Sequence, residues 1–272
     1  MNPKIFALGL LLMLSACNLP VSATPAPFET PVIIATNTIS TGGTVTLNNV
    51  SFTIPLGVAK DALSEMVSAV TDPNSSPWWE LAPDHLEFTL TGYQLQDKFL
   101  KPQIFVYPAA ELSEVNSTGA EQIQKVKTIL AGSPLTKETM PVVPSFNAAQ
   151  QIASHMQVID FKNGRGVRFL TQYAQYPAPI NNNELFYHFQ GLTDDGKYYI
   201  VAVMPVTSSI LAENEKPESP VPAGGVPLPG GGVPDQAYYD AVTGALDAMY
   251  EDSFNPSLFQ LDALIQSITV TP

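Results

Sequence analysis

Apolar and polar residues alternate with period two over several separate stretches of this chain, the signature of half-buried β-strands. In Thr44–Pro55, Val45 and Leu47 alternate, and Val50, Phe52 and Ile54 resume the pattern after Asn48-Asn49. Asparagine tolerates positive φ, so this pair predicts a two-residue hairpin turn, with one continuous bulged strand as the other reading. "DHLEFTLTGYQL" alternates at Leu86, Phe88 and Leu90, and "PQIFVYP" supplies another strand. Residues 151–206 are the most regular. There "QIASHMQVIDF", "GVRFLTQYAQY", "ELFYHFQGLT" and "KYYIVAVMPV" read as four consecutive strands. The connections Lys162–Arg165, Pro177–Asn183 and Asp194–Gly196 include Asn-Gly and Asp-Gly, strong hairpin signals, and predict an antiparallel meander. Residues 148–156 also admit a helix, being weakly β-forming.

Helical spacing appears in four places. Leu63, Met66, Val67 and Val70 predict a helix over Val58–Val70. "TGAEQIQKVKTILAG" has Thr118 as cap, Glu121 three residues on, an apolar face of Ile123, Val126, Ile129 and Leu130, and Gly132 as stop. "DQAYYDAVTGALDAMYED" places Tyr238, Val242, Leu246 and Met249 on one side, and "SLFQLDALIQSITVTP" reads as a helix running into a last short strand. Between them, Glu215–Asp235 is dominated by proline and glycine and predicts a mobile, disordered insertion. No internal repeat of 20–50 residues is present. The expected fold class is α+β: a central antiparallel β-sheet, in meander order, flanked by helices.

The beginning of the chain departs from these patterns. After Met1–Lys4, the run "IFALGLLLML" has about ten apolar residues, where crossing a bilayer needs about 20. Its length and flanks suit a signal peptide. It ends in Leu14-Ser15-Ala16-Cys17, which resembles the lipobox of bacterial lipoprotein precursors. That resemblance implies lipidation of Cys17, cleavage before it and acylation of the new amine. An ordinary signal peptide with an incidental cysteine, or a buried N-terminal helix, is the alternative. The division expected is a leader over 1–16, a lipidated cysteine and tether over 17–43, and a single domain over 44–272. Extended at about 3.1 Å per residue, the Pro/Thr-rich tether reaches roughly 80 Å, although "PVIIAT" can form a short edge strand. The location implied is the extracytoplasmic face of the cell membrane, or the outer membrane where the cell has one.

Composition sharpens this picture. Cys17 is the only cysteine among 272 residues, so no disulfide can staple the domain, and the 45% of hydrophobic residues must supply its stability. Lys and Arg number 12 against 25 Asp and Glu, a formal charge of −13. That sign repels phosphate backbones and argues against nucleic acid as a partner. Attachment to the membrane falls to the lipid on Cys17, for which two or more acyl chains suffice.

Candidate chemistry is sparse. Neither G-x-S-x-G, H-E-x-x-H nor a P-loop occurs, and no catalytic residue, cofactor or metal is assigned. The histidines are His85, His155 and His188. His155 and His188 lie on meander strands, with Glu184 four residues before His188, so a metal group is conceivable, but half-buried strand positions are the simpler reading. The only arginines, Arg165 and Arg168, sit three apart and could pair to bind a carboxylate or phosphate. Structurally, Arg168 would instead pair with Asp160 across the hairpin. The only tryptophans, Trp78 and Trp79, occupy a proline-bounded loop, the setting of a contact surface for protein or glycan, or of a plug at a core edge. Asp194 and Asp195 read as a turn, since a full calcium loop is missing.

The order from "VSFTIPLG" through "GRGVRFLTQY", "ELFYHFQGLT" and "GKYYIVAVMPV" to "LDALIQSITV" resembles small secreted bacterial lipoproteins and, more distantly, is similar to the PsbP-like α+β fold. The likeness spans about 50–206 and 256–271 and implies a central antiparallel sheet flanked by helices. The Pro/Gly insertion and the helix at Thr118–Ala131 depart from that pattern. The expected function is a non-enzymatic module that binds an envelope protein or glycan. The alternatives are an envelope hydrolase around His155 and His188, and capture of a small solute or metal.

Overall fold

A computed structural model describes residues 36–37, 43–216 and 218–271. Cys17, the leader and nearly all of the tether therefore lie outside the described residues. Among the described residues, no helix is long and apolar enough to cross a membrane.

The four alternating stretches of 151–206 form β7 (Ala149–Phe161), β8 (Gly164–Ala174), β9 (Phe186–Thr193) and β10 (Tyr198–Pro205), each antiparallel to the next. The helical alternative for residues 148–156 is not adopted. The sheet continues from β10 through β6 (Gln103–Pro108) and β5 (His85–Thr91) to β4 (Asp61–Val67), with the two-residue β1 (Thr36–Asn37) at the edge. The fold class is thus α+β around one eight-stranded antiparallel sheet.

Strand alternation gives this sheet two apolar faces. One carries Leu86, Phe88, Ile104, Leu170, Tyr187 and Ile200. It is covered by a small sheet of β2 (Thr44–Leu47), β3 (Val50–Thr53) and β13 (Thr269–Val270), and by α3 (Gln236–Asp247) and α4 (Leu258–Gln266). β2 and β3 form the hairpin expected at Asn48-Asn49, with Asn48 at φ 50°. Phe52 of β3 meets Phe88 of β5 edge-on at 5.2 Å, joining the small sheet to the large one. The other face carries Phe105, Tyr107, Tyr199, Val201 and Phe186 under α1 (Ala109–Val115) and α2 (Ser117–Leu130).

Val58–Val70 does not form the expected helix. Residues 61–67 are β4, with the small Ala62 and Ser64 buried beside Phe88 and Leu90, while Leu63 and Met66 stay about half exposed. On a strand, alternate positions face the core, and the large β5 side chains leave room there only for small ones. The cap of α2 also differs from expectation: Asn116, not Thr118, accepts from the Gly119 N–H at 3.0 Å. At the other end Gly132, at φ 102°, does close the helix. The Pro/Gly stretch carries no helix or strand among its described residues, and its Val226 and Leu228 rest against the core.

Two glycines are required where β8 and β9 cross. Gly166 faces Gly191, and a Cβ on Gly166 would lie 2.4 Å from the Gln190 carbonyl and 2.6 Å from the Phe189 ring. The ring occupies the space that side chains at these positions would fill.

Arg168, on β8, is 1% exposed, yet it carries a charge. Its Nη1 donates to the His155 carbonyl at 2.6 Å and its Nη2 to Gln157 Oε1 at 2.8 Å. It pairs with Glu251 and lies 3.4 Å from Asp262 of α4, whose Oδ1 accepts from the Tyr187 hydroxyl at 2.8 Å. Burial pushes the Asp262 carboxyl above the usual range, against the pull of Arg168. The expected Arg168–Asp160 pair is not formed: Asp160 bonds Arg165 at 2.8 Å on the solvent side. Positions 165 and 168 are an odd number apart, so they face opposite sides of the strand.

Removing a partner from a buried ion cluster leaves uncompensated charge, at a cost of about 3–5 kcal/mol. Arg168→Met is expected to lose stability of that order in urea denaturation, whereas exposed Arg165→Met changes it by about 0.5 kcal/mol or less. Equal losses would contradict the assignment.

Candidate functional site

The structure disperses the residues that the sequence marks for ligand binding. Arg165 is exposed and Arg168 buried on the opposite face of β8, so the two make no paired cationic site. Trp78 and Trp79 meet edge-on at 5.6 Å. Trp78 is half exposed, while Trp79 lines a small cleft of about 160 Å³ with His85, Tyr107 and Asn116. The loop is pinned by Asn116, whose Nδ2 donates to the carbonyls of Trp78 at 3.3 Å and Leu81 at 2.8 Å. His85 stacks on Tyr107 with centroids 4.5 Å apart, and burial lowers its pKa.

His155 and His188 are held apart. His155 sits in a bulge of β7 at φ 50°, with its ring Nε2 2.7 Å from the Leu246 carbonyl and its N–H donating to Asp247 Oδ1 at 2.6 Å. His188, on β9, is fully buried and donates from Nε2 to the Val143 carbonyl at 2.8 Å, leaving Nδ1 unpartnered. Glu184 precedes β9 instead of lying within it. Among the described residues, no three His, Cys, Asp or Glu side chains assemble as metal ligands. Asp194 and Asp195 form the β9–β10 turn. Asp195 accepts from the Thr193 hydroxyl and the Lys197 N–H, and these bonds lower its pKa, the hydroxyl foremost.

An aromatic concavity lies at the end of the sheet where β8 runs out and β9 begins, on the face covered by α1 and α2. Its floor is aromatic: Phe146 stacks on Tyr173 at 4.7 Å, and Tyr173 on Phe186 at 6.0 Å. Phe99, 67% exposed, and Tyr176, 54% exposed, form its rim. The cleft holds about 430 Å³, within the range of small-molecule sites.

Hydrogen bonds tie its walls together. The Phe99 N–H donates to the Asn183 carbonyl at 3.0 Å, and Gln175 Nε2 to the Asn147 carbonyl at 3.0 Å. Beneath them, Gln172 of β8 accepts from the Asn181 N–H and donates to the Pro179 carbonyl, each at 3.0 Å. The loop between β8 and β9 is therefore fastened to the strand it leaves. The concavity is preorganised.

Two carboxylates, Glu184 and Glu215, reach the cleft, and among the described residues no Lys, Arg, His, Ser, Thr or Cys lines it. Burial raises the Glu184 pKa, and repulsion from Glu215 adds to the shift. The Tyr176 hydroxyl donates to Glu215, which pushes the phenol up to about 12. The Tyr173 hydroxyl is buried without a hydrogen-bond partner. A sequence signal for the cleft exists: Phe99, Phe146 and Tyr176 each sit near a proline in a loop, like Trp78-Trp79. Their convergence with Glu215 is a matter of tertiary structure.

His188 has a measurable consequence. Burial lowers its pKa to about 4 from 6.5, so the unfolded chain binds a proton that the folded one refuses. Stability on this account falls as pH drops from 6.5 toward 4, by about 3 kcal/mol at about 1.4 kcal/mol per unit. Urea midpoints of wild type and His188→Gln should show the steeper loss in wild type over that window; parallel curves would contradict the assignment. No protein-family model, curated protein or solved structure matches this chain, so its own residues must carry the functional reading.

Proposed function

We propose that this chain is the precursor of a membrane-anchored extracytoplasmic lipoprotein, attached by lipid on Cys17, whose α+β domain is a non-enzymatic binding module for an envelope component. The observation that carries the anchor is Leu14-Ser15-Ala16-Cys17, whose leucine ends a ten-residue apolar run, with no other cysteine in the chain. Lipid attachment makes a basic membrane-facing surface unnecessary, in keeping with the acidic composition. The binding role is supported by the aromatic cleft, whose walls are held in place by hydrogen bonds. A hydrolase built on His155 or His188 lacks such support: both rings bond backbone carbonyls, and neither lines the cleft.

Radiolabelled palmitate supplied to expressing cells is expected to enter the wild-type protein and to be absent from Cys17→Ser, which should also leave the membrane fraction. Equal labelling of the two, or none of the wild type, would refute the anchor.

A further inference from the structure

We infer that the aromatic cleft binds a small organic ammonium compound, its alkylated ammonium group set against Phe146 and Tyr173, with Glu184 and Glu215 as counter-charges. The inference names the ligand class of the binding module proposed above and rests on that reading.

The first argument is charge. Both ionisable acids of the lining are carboxylates, and among the described residues no Lys, Arg or His answers them within it. Anionic ligands are therefore repelled. Burial opposes the ionised form of Glu184, and the nearby Glu215 opposes it further. A cation entering the cleft relieves both penalties at once.

The second argument is the shape of the apolar surface. Phe146, Tyr173 and Phe186 form a continuous stacked group, and the exposed rings of Phe99 and Tyr176 stand at its rim. Aromatic faces carry negative quadrupole potential and attract ammonium groups, most strongly where water is excluded. Methylated ammonium groups suit such a surface because they offer apolar methyls and positive charge together. A cleft of about 430 Å³ accommodates such a head group with a short apolar stem.

The third argument separates this ligand from a sugar, which also stacks on aromatic rings. Sugar hydroxyls require donors as well as acceptors. Here the donors are largely committed: the Tyr176 hydroxyl to Glu215, the Gln175 amide to the Asn147 carbonyl, with the Tyr173 hydroxyl buried. Among the described lining side chains, the Asn147 amide and the second N–H of Gln175 are left to donate. The cleft thus offers two carboxylates and few free donors, which disfavours a polyhydroxylated sugar relative to a cation.

The test uses the full-length lipidated protein in a polyoxyethylene detergent, which contains neither sugar nor ammonium. Calorimetric titration compares choline with 3,3-dimethylbutanol, its neutral carbon isostere, and with uncharged, fully N-acetylated chitotetraose. Choline is expected to bind at least about tenfold tighter than the isostere, a difference of about 1.4 kcal/mol. The Glu184→Gln/Glu215→Gln double variant, with an unchanged melting temperature, is expected to abolish that preference. Equal affinity for choline and the isostere, or a preference that survives in the double variant, overturns the inference. Binding of chitotetraose without choline overturns the ammonium assignment while leaving the binding module standing. Binding of none of the three overturns the inference and removes the cleft's support for that module.

Discussion

A guanidinium shut away from water constrains this protein more tightly than any apolar contact in it. Apolar burial is nondirectional, and many packings satisfy it about equally. A buried charge needs partners at fixed distances, and Arg168 draws them from distant parts of the chain: a carbonyl and an amide of β7, the carboxylate of Glu251, and Asp262 on α4. Tyr187 on β9 holds Asp262 from the other side. The bulge of β7 between Ser154 and Gln157 belongs to the same arrangement, because it turns the His155 carbonyl toward the guanidinium. Such a cluster does not guarantee net stability over an apolar replacement. It does select one way for the C-terminal segment to lie on the sheet.

β8 carries two different tasks on its two faces. Arg168 and Leu170 point toward the small sheet and the C-terminal helices, while Phe169, Thr171 and Tyr173 point the other way. The clamp and the cleft thus share a backbone without sharing side chains. Gln172, at the end of the strand, fastens the loop toward β9 and so fixes the wall that supplies Tyr176 and Glu184.

Much of the fold was legible in the chain, because its strand-forming runs are bounded by turn signals. β5 lies where the alternation of Leu86, Phe88 and Leu90 indicated, β6 and β8–β10 lie on the other apolar runs, buried on both faces, and the turns at Asn163-Gly164 and Asp195-Gly196 punctuate them as expected. β4 was not legible in this way. Beside the short edge strand β1, Leu63 turns away from the face that holds Ala62 and Ser64, and Met66 lies near the end of that face, so both stay half exposed and with Val67 mimic a helical stripe. Asn116 and Thr118 are both competent caps, and only the approach of the Trp78–Leu81 loop favours Asn116. The partner of Arg168 lies 94 residues away in sequence, beyond any local rule, and pairing with Asp160 was merely the nearest charge balance. The cleft shares that difficulty, since Phe99, Phe146, Tyr176 and Glu215 come from four separate loops.

A double-mutant cycle between Arg168 and Asp262 tests the governing constraint most directly. Arg168→Met and Asp262→Leu, singly and together, should yield a coupling energy of at least about 2 kcal/mol in urea denaturation, with the double variant recovering much of what each single change loses. Strictly additive losses would show that these two groups stabilise the fold independently, and that the buried charge does not organise it.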